Sequence, residues 1–328
     1  MGFQWVCLFA THALNACVKG YPCYFYTSSR GLIMSGRDRS AGWEHAKKSG
    51  HAYEKSLAAE INNHEHPKLI AILESKTKRK FVNANAEYGT ARVLSILDDR
   101  TTSKADIVVE FESKFRIIKW IESKLKLEPK KLGISVKKSV KGQVWITSLD
   151  RFEKGCKHYG IKISPLAHWS LCCLTGETGG VPIESFADKV VLTKLHTTGQ
   201  FLERRDNRLI AKTIADFYPD AWEELVNFFQ TNYPKLTMLA FGRGVVSENV
   251  GWAEIVYYKN GSIFKIDDLR KLKNTNKIDQ NSKSRSTIWL PFGFLQVHRP
   301  TPSGQTKSGP FQLQFHHVLD QIMENSEV

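Results

Sequence analysis

The sequence predicts an α/β (α+β) fold. Three observations carry that prediction. Short β-branched runs cluster between residues 107 and 146. Apolar residues recur at helical spacing in 51–62 and again in 211–229. Alternating patterns return from residue 236 onward, with Asn260-Gly261 as a hairpin turn between two of them. Strands and helices mixed in this way pack as layers, and a hydrophobic content of 41% over 328 residues is enough to fill a core.

Taken in order, Tyr53, Leu57 and Ile61 fall at i, i+4 and i+8, which predicts a helix over 51–62 starting at Ser49-Gly50. Residues 85–98 read as a second helix or a strand–helix junction, and 98–103 as a turn. Three strands are expected next: Ile107–Phe111, Phe115–Ile121 and Leu132–Val136, with Val144–Ile146 close behind Gly142. Leu149–Cys156 opens a helical region, and the apolar stretch Leu166–Leu174 ends at Gly176. Ala211–Phe217 and Ala221–Phe229 are helical, Pro219 and Asp220 marking the start of the second. Leu236–Phe241, Trp252–Tyr258 and Ile263–Ile266 read as strands, 270–287 as a polar basic loop, and Ile288–Val297 and Phe311–Phe315 as strands flanking a Pro/Gly-rich loop, before a short terminal helix.

The chain carries a net charge of +14, from 47 Lys+Arg against 33 Asp+Glu. That excess is expected of a polyanion binder. Residues 113–141 concentrate ten basic residues against Glu122 and Glu128 alone. The six cysteines lack zinc-site spacing, and Cys172-Cys173 is awkward for a disulfide framework, so reduced thiols and a cytoplasmic location are expected. No segment approaches the ~20 apolar residues of a membrane span. Residues 1–33 differ from the rest, with seven aromatics, three cysteines and no acid. They read as an appendage ahead of Met34.

Strand alternation sends Ile134 and Val136 to one face and Ser135 and Lys137 to the other. Asp106 opens a neighbouring β-branched run. If the two strands pair, a carboxylate and an ammonium converge. Phosphodiester hydrolysis needs such a set: oxygen ligands for a divalent ion, and a cation to orient the attacking water and balance transition-state charge. Glu54, on the first helix, is positioned to add a second carboxylate. Spacing alone also admits a plainer reading, in which Asp106 caps a turn and Lys137 is a surface lysine on an edge strand. Two other acid-x-lysine triplets compete: Glu122-Ser123-Lys124 and Glu112-Ser113-Lys114.

Asp106 together with Ser135-Val136-Lys137 resembles the PD-(D/E)xK nuclease motif, in a variant with serine at the middle acid and Ala105 in place of the usual proline. The stretch from Ser49 to Glu54, followed by Leu57-Ala58, resembles that superfamily's first helix. Lys138-Ser139 and Gly142-Gln143-Val144 resemble type II restriction endonucleases in particular. The resemblance covers residues 41–155. It implies a restriction-endonuclease-like mixed sheet flanked by helices, with 34–235 as the nuclease core and 236–328 as a β-rich recognition region. It further implies Mg²⁺ held by Asp106 and Glu54, catalysis by Asp106, Ser135, Lys137 and Glu54, and double-stranded DNA as the substrate. A homodimer and a companion DNA methyltransferase in the cell are implied as well.

DNA contacts are expected from Lys138, Ser139 and Gln143 near the scissile phosphate. The carboxy-terminal strands add Gln296, His298, Arg299, Gln314 and His316, side chains suited to reading base edges from a β-ribbon in the major groove. A non-catalytic nucleic-acid-binding protein and a structure-selective repair nuclease on the same fold are the alternatives.

Overall fold

The computed structural model describes residues 39–86, 92–177, 209, 211–247, 251–272, 287–298 and 312–326. The chain divides into two compact units, Met1–Gly42 and Trp43–Val328; of the first, only the opening turn of a helix is described. The appendage expected at 1–33, the polar loop over 273–286 and the Pro/Gly-rich loop at 300–310 lie outside the described residues.

Two sheets organise the larger unit. The first has five strands in the order β1 (Lys80–Ala86), β4 (Ile107–Glu112), β5 (Lys130–Lys137), β7 (Ile255–Tyr258) and β8 (Ile263–Lys265). It is mixed: β5 and β7 run parallel, and the other pairs are antiparallel. The second is antiparallel, in the order β6 (Lys141–Thr147), β11 (Gln312–Val318), β10 (Gly293–His298) and β9 (Thr287–Leu290). A small hairpin joins β2 (Arg92–Leu94) to β3 (Arg100–Thr102). The chain is thus a mixed α/β protein with helices packed on its sheets.

Helices α1 (Arg39–Asn62) and α2 (Pro67–Thr77) cover one face of the first sheet. Leu57 and Ile61 from α1 and Leu69 and Leu73 from α2 meet Ile107, Val109, Ile134 and Val136 in one apolar cluster. The second and larger cluster lies among α4 (Leu149–His158), α5 (Pro165–Thr175), α6 (Ala211–Phe217), α7 (Pro219–Thr237) and the inner face of the second sheet. Strand β7 is buried throughout. Ile255 and Tyr257 enter the first cluster, Val256 and Tyr258 the second. Two short helices, α8 (Ile266–Leu269) and α9 (Leu319–Ser326), complete the set.

Several sequence expectations are corrected. Helix α1 begins at Arg39 and runs through Gly50. Where 85–98 reads as a second helix or a strand–helix junction, the described residues of that stretch end β1 and form β2, with no helix among them. Phe115–Ile121 is not a strand: Arg116–Lys124 is helix α3, whose isoleucines mimic a strand by propensity alone. Leu236–Phe241 is not a strand either. It continues α7 past Pro234 into a π-helical turn, Met238–Arg243, buried on the core side. Each of the two larger sheets draws strands from both sides of residue 236. Strands β7 and β8 belong to the first sheet beside β5, while β6 belongs to the second beside β11. The Asn260-Gly261 turn stands as expected, with Gly261 at φ +88° and Asn260 Oδ1 accepting the Ser262 N–H at 3.1 Å.

Candidate active site

Strands β4 and β5 pair antiparallel with Ile107 opposite Ile134, so Asp106 meets Ser135 at the end of the ladder. The Asp106 N–H donates to the Ile134 carbonyl at 2.8 Å and fixes the approach. Ile134 and Val136 face the α1–α2 core; Ser135 and Lys137 face the other way. Two residues earlier, Gly133 lets another backbone pass: a Cβ there would lie 2.0 Å from the Trp252 carbonyl oxygen.

Asp106 Oδ2 accepts the Val136 N–H at 2.6 Å and the Ser135 hydroxyl at 3.2 Å. Lys137 Nζ donates to Ser135 Oγ at 2.7 Å. The serine therefore stands between carboxylate and ammonium, bonded to both. Among the described residues, both hydrogen bonds to the Asp106 carboxylate fall on Oδ2. Asp106, Ser135, Lys137 and Gln143 line a cleft of about 330 Å³, walled by Thr101–Ser103, by β6 and by Gly244-Val245.

Glu54 is not part of the cleft lining. It reaches the site from α1, with Oε2 3.2 Å from His51 Nδ1. Burial raises its pKa, and the Asp106 charge raises it further, against the lowering influence of His51 and Lys138. The two carboxylates therefore feel one another's charge.

Among the described residues, no group of three or more His, Cys, Asp or Glu side chains is placed to hold a metal ion. The donor set at the cleft is Asp106 Oδ1 with Glu54 in electrostatic reach. That set suits Mg²⁺, which takes one or two carboxylates and fills its remaining positions with water and substrate phosphate oxygens.

Lys104, one residue from Ala105-Asp106, escaped the sequence reading. It too lines the cleft. Its Nζ donates to the Ala240 carbonyl at 2.7 Å and the Val144 carbonyl at 3.2 Å, and lies 5.3 Å from the Trp145 ring centroid. Burial and the nearby Lys137 push its pKa well down, with Asp106 opposing. It ties the loop before β4 to β6 and to the π-helical turn. No local pattern announces this, because both acceptors are backbone carbonyls distant in sequence.

The competing triplets are separated from the cleft by topology. Glu122 and Lys124 sit on α3, where Glu122 pairs with Arg79 at 2.8 Å. Glu112 ends β4, at the opposite end from Asp106.

Of the expected DNA contacts, Lys138 is exposed just past β5, with Nζ 5.7 Å from the Tyr53 ring centroid. Ser139 closes its turn by bonding Lys141. On the second sheet, Gln296 stands directly opposite Gln314, and Phe294 opposite His316, whose ring stacks on it at 4.6 Å. The same face continues through Ile146, opposite Gln314, to Gln143, opposite His316. The half-buried polar face of Gln296, Gln314 and His316 is thus continuous with the cleft wall. His298 ends β10 opposite Gln312, four rungs from the Phe294–His316 pair. The His298 side chain and Arg299 lie outside the described residues. His317 points inward, bonded to the Tyr258 hydroxyl at 3.2 Å.

The described cysteines, Cys156, Cys172 and Cys173, are buried in the core. No helix among the described residues is long and apolar enough to cross a membrane.

No family model matches the chain, and no curated protein matches it. Among solved structures, it is similar to the restriction endonuclease MspI in complex with its cognate DNA, at 12% identity over 77% of this chain and 78% of that one, with a TM-score of 0.37. A likeness of that degree assigns neither chemistry nor substrate.

Proposed function

We propose that this protein is a Mg²⁺-dependent, sequence-specific endonuclease of the type II restriction class, hydrolysing phosphodiester bonds in double-stranded DNA as a homodimer. One observation carries the reading. Ser135 Oγ is bonded to both the Asp106 carboxylate and the Lys137 ammonium at the wall of a cleft. Phosphoryl transfer calls for an anionic site for a divalent cation beside a cation for the attacking oxygen and the charged transition state.

Asp106 and Glu54 would hold the metal, which supplies charge neutralisation at the phosphoryl group and a more acidic water. Val136 N–H and Ser135 fix one oxygen of Asp106 and leave the other for the ion. Lys137 orients the attacking water and offsets the growing negative charge. Its ammonium is held by Ser135 and needs no rearrangement to act. Lys138 and Ser139, exposed in the turn just past β5, would contact the phosphate backbone. Gln143, Gln314, Gln296 and His316 present donors and acceptors in a row suited to base edges. The net charge of +14 favours the polyanion at long range. A companion methyltransferase protecting the host's own sites follows from the restriction role.

The test is a plasmid digest with Mg²⁺ and unmethylated DNA, with fragment ends sequenced. Discrete bands with a common end sequence support the reading. A smear points to a structure-selective nuclease. Uncut plasmid with retained binding points to a binder without catalysis.

A further inference from the structure

The most exposed apolar surface among the described residues is helix α3, Arg116–Lys124, with the turns flanking it. It buries none of its residues. Seven large apolar side chains between Phe115 and Leu127 are 41% to 75% exposed, Ile117 and Phe115 most of all, followed by Leu125 and Trp120. At ~200 Å² per such side chain, their exposed area is on the order of 800 Å². Monomeric proteins rarely carry apolar patches above roughly 300–600 Å². The figure instead matches what one partner contributes to a standard interface, roughly 800 Å².

Ion pairs tie the helix to the rest of the chain. Glu122 pairs with Arg79 at 2.8 Å, and Lys119 pairs with Glu112 at 2.6 Å. Lys124 lies over Trp120 at 5.8 Å from the ring centroid. Two of the charges on the helix are thus neutralised within the chain, and the patch between them is apolar. An apolar surface of this extent is typical of homodimers, whose interfaces are more apolar than those of transient complexes.

We infer that α3 is a self-association face, occupied by α3 of a second copy of this chain about a twofold axis, with Arg116, Lys124 and Lys126 at the wet rim. This deepens the homodimer in the proposed function by naming its surface. It does not depend on the cleft chemistry. Helix α3 joins the far ends of β4 and β5, about 20 Å along the strands from Asp106 and Lys137. The interface therefore leaves both clefts open. The rim cations repel one another across the axis, so association strengthens as salt rises, opposite to the salt response of nucleic-acid binding.

The test is sedimentation velocity of the full chain, without DNA, for the wild type and for Ile117→Glu combined with Trp120→Glu. The expected result is a dimer at micromolar concentration that tightens with salt, and a double variant whose dimer is at least about thirtyfold weaker. Its circular dichroism and melting should match the wild-type monomer, because neither side chain is buried. Concentration-dependent hydrogen-exchange protection of 115–127 in the wild type is expected as well, and needs no variant. A wild type that stays monomeric, a double variant that dimerises equally well, or a monomer that sediments with anionic vesicles through α3 overturns the inference. Since the readout is mass, it can fail while plasmid cleavage succeeds, and the reverse.

Discussion

Lys137 Nζ donates to Ser135 Oγ over 2.7 Å, and the two side chains share one face of β5. The hydroxyl in turn donates to Asp106 Oδ2 at 3.2 Å, so carboxylate and ammonium are held one oxygen apart. Lys137→Ala should lower cleavage by roughly a thousandfold or more, since it removes a preorganised charge from the transition state. DNA affinity should change by no more than a few fold. Ser135→Ala should cost about tenfold, because it removes the spacer and leaves both charges in place. Single-turnover cleavage and equilibrium binding measure the two effects separately. Cleavage at the wild-type rate in Lys137→Ala would take this residue out of the chemistry.

Glu54→Gln should make the protein more stable and less active. Burial and the Asp106 charge raise the Glu54 pKa in the folded state. A raised folded pKa means the stabilising contribution is present at low pH, below the unfolded value of about 4.5, and is lost as pH rises through the folded value. At neutral pH the ionised side chain is therefore a burden on the fold, and glutamine removes it. Melting at neutral pH should show a gain in stability that vanishes in acid. Added Mg²⁺ should raise the wild-type melting temperature more than the variant's. A variant less stable than wild type at neutral pH contradicts this account.

The juxtaposition of Asp106, Ser135 and Lys137 is legible in the sequence because it obeys short-range rules. Alternation alone sends Ser135 and Lys137 away from Ile134 and Val136, and the buried face of β5 obeys it. The stripe of Leu57 and Ile61 placed α1 on the sheet and carried Glu54 with it. Lys104 was illegible because its partners, Ala240 and Val144, offer only carbonyl oxygens. The failures elsewhere have a common cause. Isoleucine-rich segments such as 115–121 and the apolar run from Leu236 read as strands by residue propensity, yet both are helical, the first without any buried side chain and the second packed in the core. That β7 would insert beside β5, across more than a hundred intervening positions, is a tertiary fact that no window of sequence contains.

The exposed Lys138 and the half-buried Gln314 should respond differently to substitution. Lys138→Ala removes one phosphate-directed charge. It should weaken binding evenly across sequences and reduce the salt slope by about one. Gln314→Ala lies on the sheet face shared with Gln296 and His316. It should leave the salt slope alone and relax discrimination at one base pair by about 1–3 kcal/mol. Binding to a randomised duplex pool at two salt concentrations distinguishes the pair. Identical behaviour of the two variants would mean that the second sheet does not read bases.

His317 should make the fold acid-sensitive. It is buried behind the cleft against the Tyr258 hydroxyl, and burial, with Lys137 and His316 adding positive charge nearby, pushes its pKa from 6.5 down to about 3. The unfolded chain takes up a proton near pH 6.5, whereas the folded chain refuses it until about pH 3. Neutral His317 thus contributes stability above pH 6.5 that is lost as pH falls toward 3, a few kcal/mol at most over the window. Glu54 acts with the opposite sign over the lower part of that range, so the two partly offset in the wild type. His317→Gln keeps a hydrogen-bonding side chain but does not titrate. Its stability should fall less steeply from pH 6.5 into acid, even if packing lowers it at neutral pH. Urea unfolding of both proteins across that range gives the two slopes. Parallel slopes would show that the histidine is not held neutral by its surroundings.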